Sequence, residues 1–252
     1  IIKAGKKAGR VAAEGLVRVW VGSDHTDAVI VEVNSETDFV ARNDQFIELV
    51  DKVTEAIGTS GITSMDELDR AKVGAQSVPD YITAQVATIG ENIKLRRFQR
   101  VSNDGGMVDH YIHAGDQIGV LLEVSSRTEP GAFGRDVAMH VAAMKPKYLS
   151  PDDVDEDEAA KQAEIFRAQL AEEGKPEKII PRIMEGKMAK WRNEHSLLKQ
   201  AFVKNPDVSV EEFQREHDGL EIVRFVRFEV GEGIEKEESN LADEVAAQLG
   251  SS

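Results

Sequence analysis

The sequence predicts an α+β fold of two pseudo-repeated halves. Each half is a three-stranded antiparallel sheet with packed helices, and a protruding helical hairpin and a C-terminal helix are added to them. Three observations carry this expectation. First, two separated segments match at one shift: EGLVRVWV from Glu14 lies over GGMVDHYI from Gly105, and VIVEVNSETD from Val29 lies over VLLEVSSRTE from Val120. Both 105 minus 14 and 120 minus 29 give 91. The identical pairs include Val29/Val120, Glu32/Glu123, Val33/Val124, Ser35/Ser126 and Thr37/Thr128. Second, each matched pair of segments alternates in the manner of a hairpin. Third, a run with helical spacing follows each hairpin.

Taken in order, residues 16–21 and 28–33 are strands around the turn GSDHTD. Phe46, Leu49, Val50, Val53 and Ile57 then share one face of a helix. TSMDELDRAKV and SVPDYITAQVATIGEN read as short helices, the second with Ser77 as N-cap and Pro79 in its first turn. Residues 92–101 are the third strand. In the second half, strands 107–112 and 118–124 meet around HAGDQ, and a helix over 134–144 stops ahead of Pro146. Residues 221–230 are the matching third strand, with Arg227–Phe228 set against Arg97–Phe98. The insertion before it opens at 150 with a cap and many acids, which a helix N-terminus favours, and stops at Gly174. Pro176 opens a second run, interrupted at Pro181 and Gly186, so the two helices predict an antiparallel hairpin joined by GK. NLADEVAAQL predicts a short terminal helix. The expected domains are a basic tail over 1–14, a first half over 15–103, a second half over 104–152 and 218–234, the hairpin insertion over 153–217, and a C-terminal helical module over 235–252.

Composition narrows the function. With 41% hydrophobic residues the 252-residue chain can bury a core. Cysteine is absent, which excludes a disulfide framework. No apolar run approaches the roughly 18 residues of a membrane span, and no leader pattern opens the chain. A cytoplasmic protein without membrane contact is expected. The net charge of −15 argues against nucleic acid as a partner, and the one basic cluster is Lys3, Lys6, Lys7 and Arg10. No GxxxxGK[ST] loop occurs, so direct nucleotide binding is not expected. Glu36 and Asp38 lack a base or nucleophile to work with, so no chemical catalysis is expected. His110 and His113 fall on opposite faces of a strand, so neither a metal site nor a cofactor is expected.

A protein partner remains, and EVNSETDFVARN, 32–43, is where to look for its site. Phe39 stands in the connection between strand and helix. At the shift of 91 it faces Pro130, so the second half folds without an aromatic there. Two readings stay open: Phe39 packs beneath its own helix, or it stands out as a wedge for a partner. Asp38 either caps the following helix and aims Phe39 or acts on the partner. His140 shares an apolar helix face with Val137, Val141 and Met144, as a core residue or a contact. Gly119 either permits close backbone approach or starts a strand.

EVNSETDFVAR resembles the signature segment of the elongation factor Ts family, the nucleotide-exchange factors of elongation factor Tu. KKAGRVAAEGLV, IGENIKLRRF, AMHVAAMKP, GKPEKIIPRIMEGKM and RFEVGEGIEK resemble that family too, in its order. The resemblance implies a small three-helix domain ahead of the basic tail, missing here. It implies that Asp38 and Phe39, with Val40 and Asn43 beside them, enter the GTPase domain of elongation factor Tu near its magnesium site. Ile118, Gly119 and Val120, and His140 with Met139, would face the same partner. The hairpin, 172–196, would reach another domain of that partner, and the C-terminal module would touch the GTPase domain. The rival reading is a non-catalytic interaction scaffold of a translation or replication complex.

Overall fold

The computed structural model describes residues 9–126, 131–217 and 219–235. The predicted terminal helix and most of the basic tail lie outside the described residues. The architecture is α+β, with two three-stranded sheets. The first contains β1 (Glu14–Val21), β2 (Asp27–Ser35) and β5 (Lys94–Ser102), in the order β1-β2-β5. The second contains β6 (Met107–Ile112), β7 (Ile118–Val124) and β10 (Ile222–Glu229), in the order β6-β7-β10. In both, the third strand pairs with the second strand of the hairpin. β6 and β7 run antiparallel, with Met107 opposite Val124 and Ile112 opposite Gly119.

Gly15 and Gly106 show why the matched segments keep a glycine at the same place. A Cβ on Gly15 would lie 2.1 Å from the carbonyl oxygen of Val33, and one on Gly106 would lie 2.0 Å from that of Val124. Neither distance tolerates a side chain. The matched acids are also used alike. Glu32 is fully buried and is bonded by Arg96 Nη1 at 2.9 Å and Arg97 Nε at 2.6 Å, both on β5, while Arg224 of β10 donates to Glu123.

By contacts the chain falls into two compact units. One is formed by the described parts of Ile1–Trp20, Ile30–Gln99 and Phe228–Ser252, the other by Val21–Val29 and Arg100–Arg227. In the first unit, α1 (Asp38–Ala41) and α2 (Asp44–Ser60) follow β2. Phe46, Leu49, Val50, Val53 and Ile57 are all fully buried, as their spacing predicted. The predicted helix at 63–73 is a 3-10 turn, Met65–Arg70, leading into a two-residue ladder of β3 (Lys72–Val73) with β4 (Gln76–Ser77). α3 (Val78–Ile89) is capped by Ser77 and carries a proline in its first turn.

In the second unit, α4 (Ala132–Met144) packs on β6 and β7. Val120, Leu122, Phe133, Val137 and Val141 form its core with Leu197, Phe202 and Val210. The helical hairpin is present as α5 (Glu156–Glu172) and α6 (Ile180–His195). Its first helix begins later than predicted, because Ser150 caps a 3-10 turn, Pro151–Asp153, and Asp155 caps the helix proper. Its second helix starts at 180, which leaves Pro181 in a first turn where its missing N–H costs nothing. Gly186 lies within that helix without ending it. β8 (Ala201–Phe202), β9 (Asn205–Ser209) and α7 (Val210–Arg215) complete the unit. Among the described residues, no helix is long and apolar enough to cross a membrane.

Candidate partner-binding site

The connection that closes β2 is a built structure. Thr37 caps α1, its hydroxyl accepting from Val40 N at 3.3 Å. Asp38 occupies the first turn, where the helix dipole favours an acid, and pairs with Arg42 at 3.2 Å. Asn43 is exposed and caps α2, its Oδ1 accepting from Gln45 N at 2.8 Å. The caps are therefore Thr37 and Asn43, not Asp38, which settles the capping half of the Asp38 question. Val40 is half-buried and Ala41 is buried. Phe39, just ahead of them, is 83% exposed. The reading in which Phe39 packs under its own helix is thereby excluded. An aromatic residue exposed to this extent leaves apolar area that binding can bury.

A carboxylate from the far end of α3 holds this turn. α3 stops at Gly90, whose φ of 95° is left-handed, and Glu91 follows. Glu91 Oε2 accepts from the backbone N–H groups of Glu36 and Thr37, both at 3.1 Å, and Oε1 accepts from the Thr37 hydroxyl at 2.6 Å. Glu36 Oε1 in turn accepts from Asn92 N at 2.6 Å. Sequence reasoning placed Glu91 and Asn92 in IGENIKLRRF but gave them no role. The signal available was an acid directly after a helix-stopping glycine.

The second group of expected residues lies in the other unit. Ile118 opens β7 and is half-buried, Gly119 and Val120 are buried, and Met139 of α4 is half-buried. His140 departs from the expectation of a partner contact. Its side chain is wholly buried, and both ring nitrogens are engaged: Nδ1 accepts from Val203 N at 3.1 Å, and Nε2 lies 2.9 Å from Gln200 Oε1. Burial holds its pKa below the ordinary histidine value, against a smaller upward pull from Gln200. A ring so placed has no surface to offer. Its helix face was apolar because it is a core face.

Comparison with known proteins decides the family. A family model described as Elongation factor TS matches residues 36–232. The chain belongs to the elongation factor Ts family. It is 46% identical to an elongation factor Ts of Halothermothrix orenii over 99% of this chain and 84% of that protein. It is 43% identical to one from Clostridium botulinum over 98% of this chain, and 41% identical to one from Clostridium novyi over 98%, again covering 84% of each relative. The match to the family model begins at Glu36, at the clasped turn that carries Phe39.

Proposed function

We propose that the chain is the guanine-nucleotide exchange factor of elongation factor Tu in translation elongation, acting in the cytoplasm, and that Phe39 is the group that forces GDP out. The observation that supports this most is the 83% exposure of Phe39 on a turn held by hydrogen bonds at both ends, in a chain of this family. GDP in a GTPase is gripped by magnesium and by backbone N–H groups at a helix N-terminus. The factor makes and breaks no covalent bond. It binds more tightly to a GTPase whose magnesium and phosphate site is distorted, and the coupling is reciprocal: GDP weakens the factor by the factor's own effect on GDP. Burying one Phe side chain is worth roughly 1.5–3 kcal/mol. That corresponds to about one to two decades in nucleotide affinity. Asp38, Val40 and Asn43 belong to the same turn and its caps. Ile118 and Met139, half-exposed, supply a second contact, while His140 keeps its helix in place from inside.

The test is release of a fluorescent GDP analogue from elongation factor Tu, with the chain at substoichiometric amounts. Multiple turnovers are expected. Tight binding without turnover would contradict the proposal and favour an interaction scaffold.

A further inference from the structure

We infer that Glu91 is a positioning residue for exchange, because its carboxylate clasps Glu36 and Thr37 and so fixes the turn that presents Phe39 before a partner arrives. This rests on the proposed role of Phe39. A four-residue helix has no stability of its own, since its nucleus costs more than one turn returns. Its direction must be imposed from outside. Glu91 does so from 54 residues away, with one oxygen on two backbone N–H groups and the other on the Thr37 hydroxyl that also caps the helix. Hydrogen bonds to a charged acceptor are the stronger kind. The clasp is reciprocal, because Glu36 accepts from Asn92 N, and it extends further: Asn92 Nδ2 donates to the Arg10 carbonyl at 2.7 Å, and Arg10 Nη1 lies 3.4 Å from Glu36 Oε2. The segment entering β1 is thereby tied to the same turn. A loose turn would leave the ring in many directions, and only the competent fraction acts.

The experiment measures GDP release from elongation factor Tu at saturating factor for Glu91→Ala, Phe39→Ala and the double variant. Glu91→Ala is expected to slow release about tenfold, the size of one or two lost charge-assisted hydrogen bonds. In the Phe39→Ala background the same change is expected to matter by less than about twofold, because Glu91 acts through that ring. Glu91→Gln is expected to keep most of the rate. Its amide oxygen can take both N–H groups while its amide nitrogen donates to the Thr37 oxygen. Should Glu91→Ala fail to fold, Thr37→Val removes the hydroxyl alone and is expected to slow release about threefold, with the same dependence on Phe39. Phe39→Ala slow but Glu91→Ala and Thr37→Val at the parental rate would overturn the positioning role alone. An equal penalty with and without Phe39 would overturn it too. Phe39→Ala at the parental rate would overturn the wedge and, with it, this inference.

Discussion

Phe39 and His140 carry the same expectation from the sequence and have opposite surroundings in the structure. Phe39 sits on a single turn beyond a sheet and is 83% exposed, while His140 sits on the inner face of a three-turn helix and is 0% exposed. Val203 N–H points at Nδ1, so Nε2 carries the proton and donates to Gln200 Oε1, and Gln200 Nε2 donates to the Glu194 carbonyl at 2.8 Å. His140 thus ties α4 to the residues flanking β8 and, through Gln200, to the end of α6. The ring available to a partner is the one its own fold leaves unused. The ring its fold uses completely has no exposed surface.

The widest separation between the two should appear in stability. His140→Ala is expected to destabilise the chain by about 2–4 kcal/mol, since it opens a cavity and strands the Val203 donor and the Gln200 acceptor. Denaturant unfolding measures this. Unchanged stability together with slow exchange would make His140 the contact and erase the contrast.

A smaller effect comes from pH. The folded-state pKa of His140 is depressed by burial, so its stabilising contribution is complete above the unfolded value of 6.5. That contribution declines as pH falls below 6.5, because the unfolded chain then binds a proton that the folded ring refuses. Melting temperatures between pH 7.5 and 5.5 should therefore fall more steeply for the parent than for His140→Asn. Glu32 acts in a lower window. Burial would push its carboxyl up, but Gly231 N–H, Arg96, Arg97 and Asn34 outweigh that and hold it below 4.5. Its contribution is present above 4.5 and lost as pH falls further.

The smallest effect belongs to the Asp38–Arg42 pair beside Phe39. Arg42 is 81% and Asp38 48% exposed, so water screens the pair. Arg42→Ala is expected to move the melting temperature by about 1 °C or less. A larger loss would mean that the pair, rather than Glu91, fixes the turn.

The sequence made most of the frame legible for simple reasons. One repeated shift matched the four hairpin strands, and the third strands, 92–101 and 221–230, were matched by Arg97–Phe98 and Arg227–Phe228. Phe46, Leu49, Val50, Val53 and Ile57 gave α2 its core face. The small ladders β3–β4 and β8–β9 were not foreseen, since β3, β4 and β8 have two residues each and the five of β9, NPDVS, do not alternate. The clasp was unreadable because its partners, Glu91 and Thr37, lie far apart in the chain and meet only in three dimensions. His140 was ambiguous because a polar residue on an apolar face looks alike whether its hydrogen bonds go inward or to a partner. Only the contacts of Gln200 and Val203 separate the cases.

The central claim is that Phe39 is spare to the fold and needed for exchange. Stopped-flow release of fluorescent GDP from elongation factor Tu, run beside a thermal melt of the factor alone, tests both halves on one variant. Phe39→Ala should slow catalysed release by about one to two decades and leave the melting temperature within about 2 °C. Parental release, or a melt lowered as far as that of His140→Ala, would contradict the account.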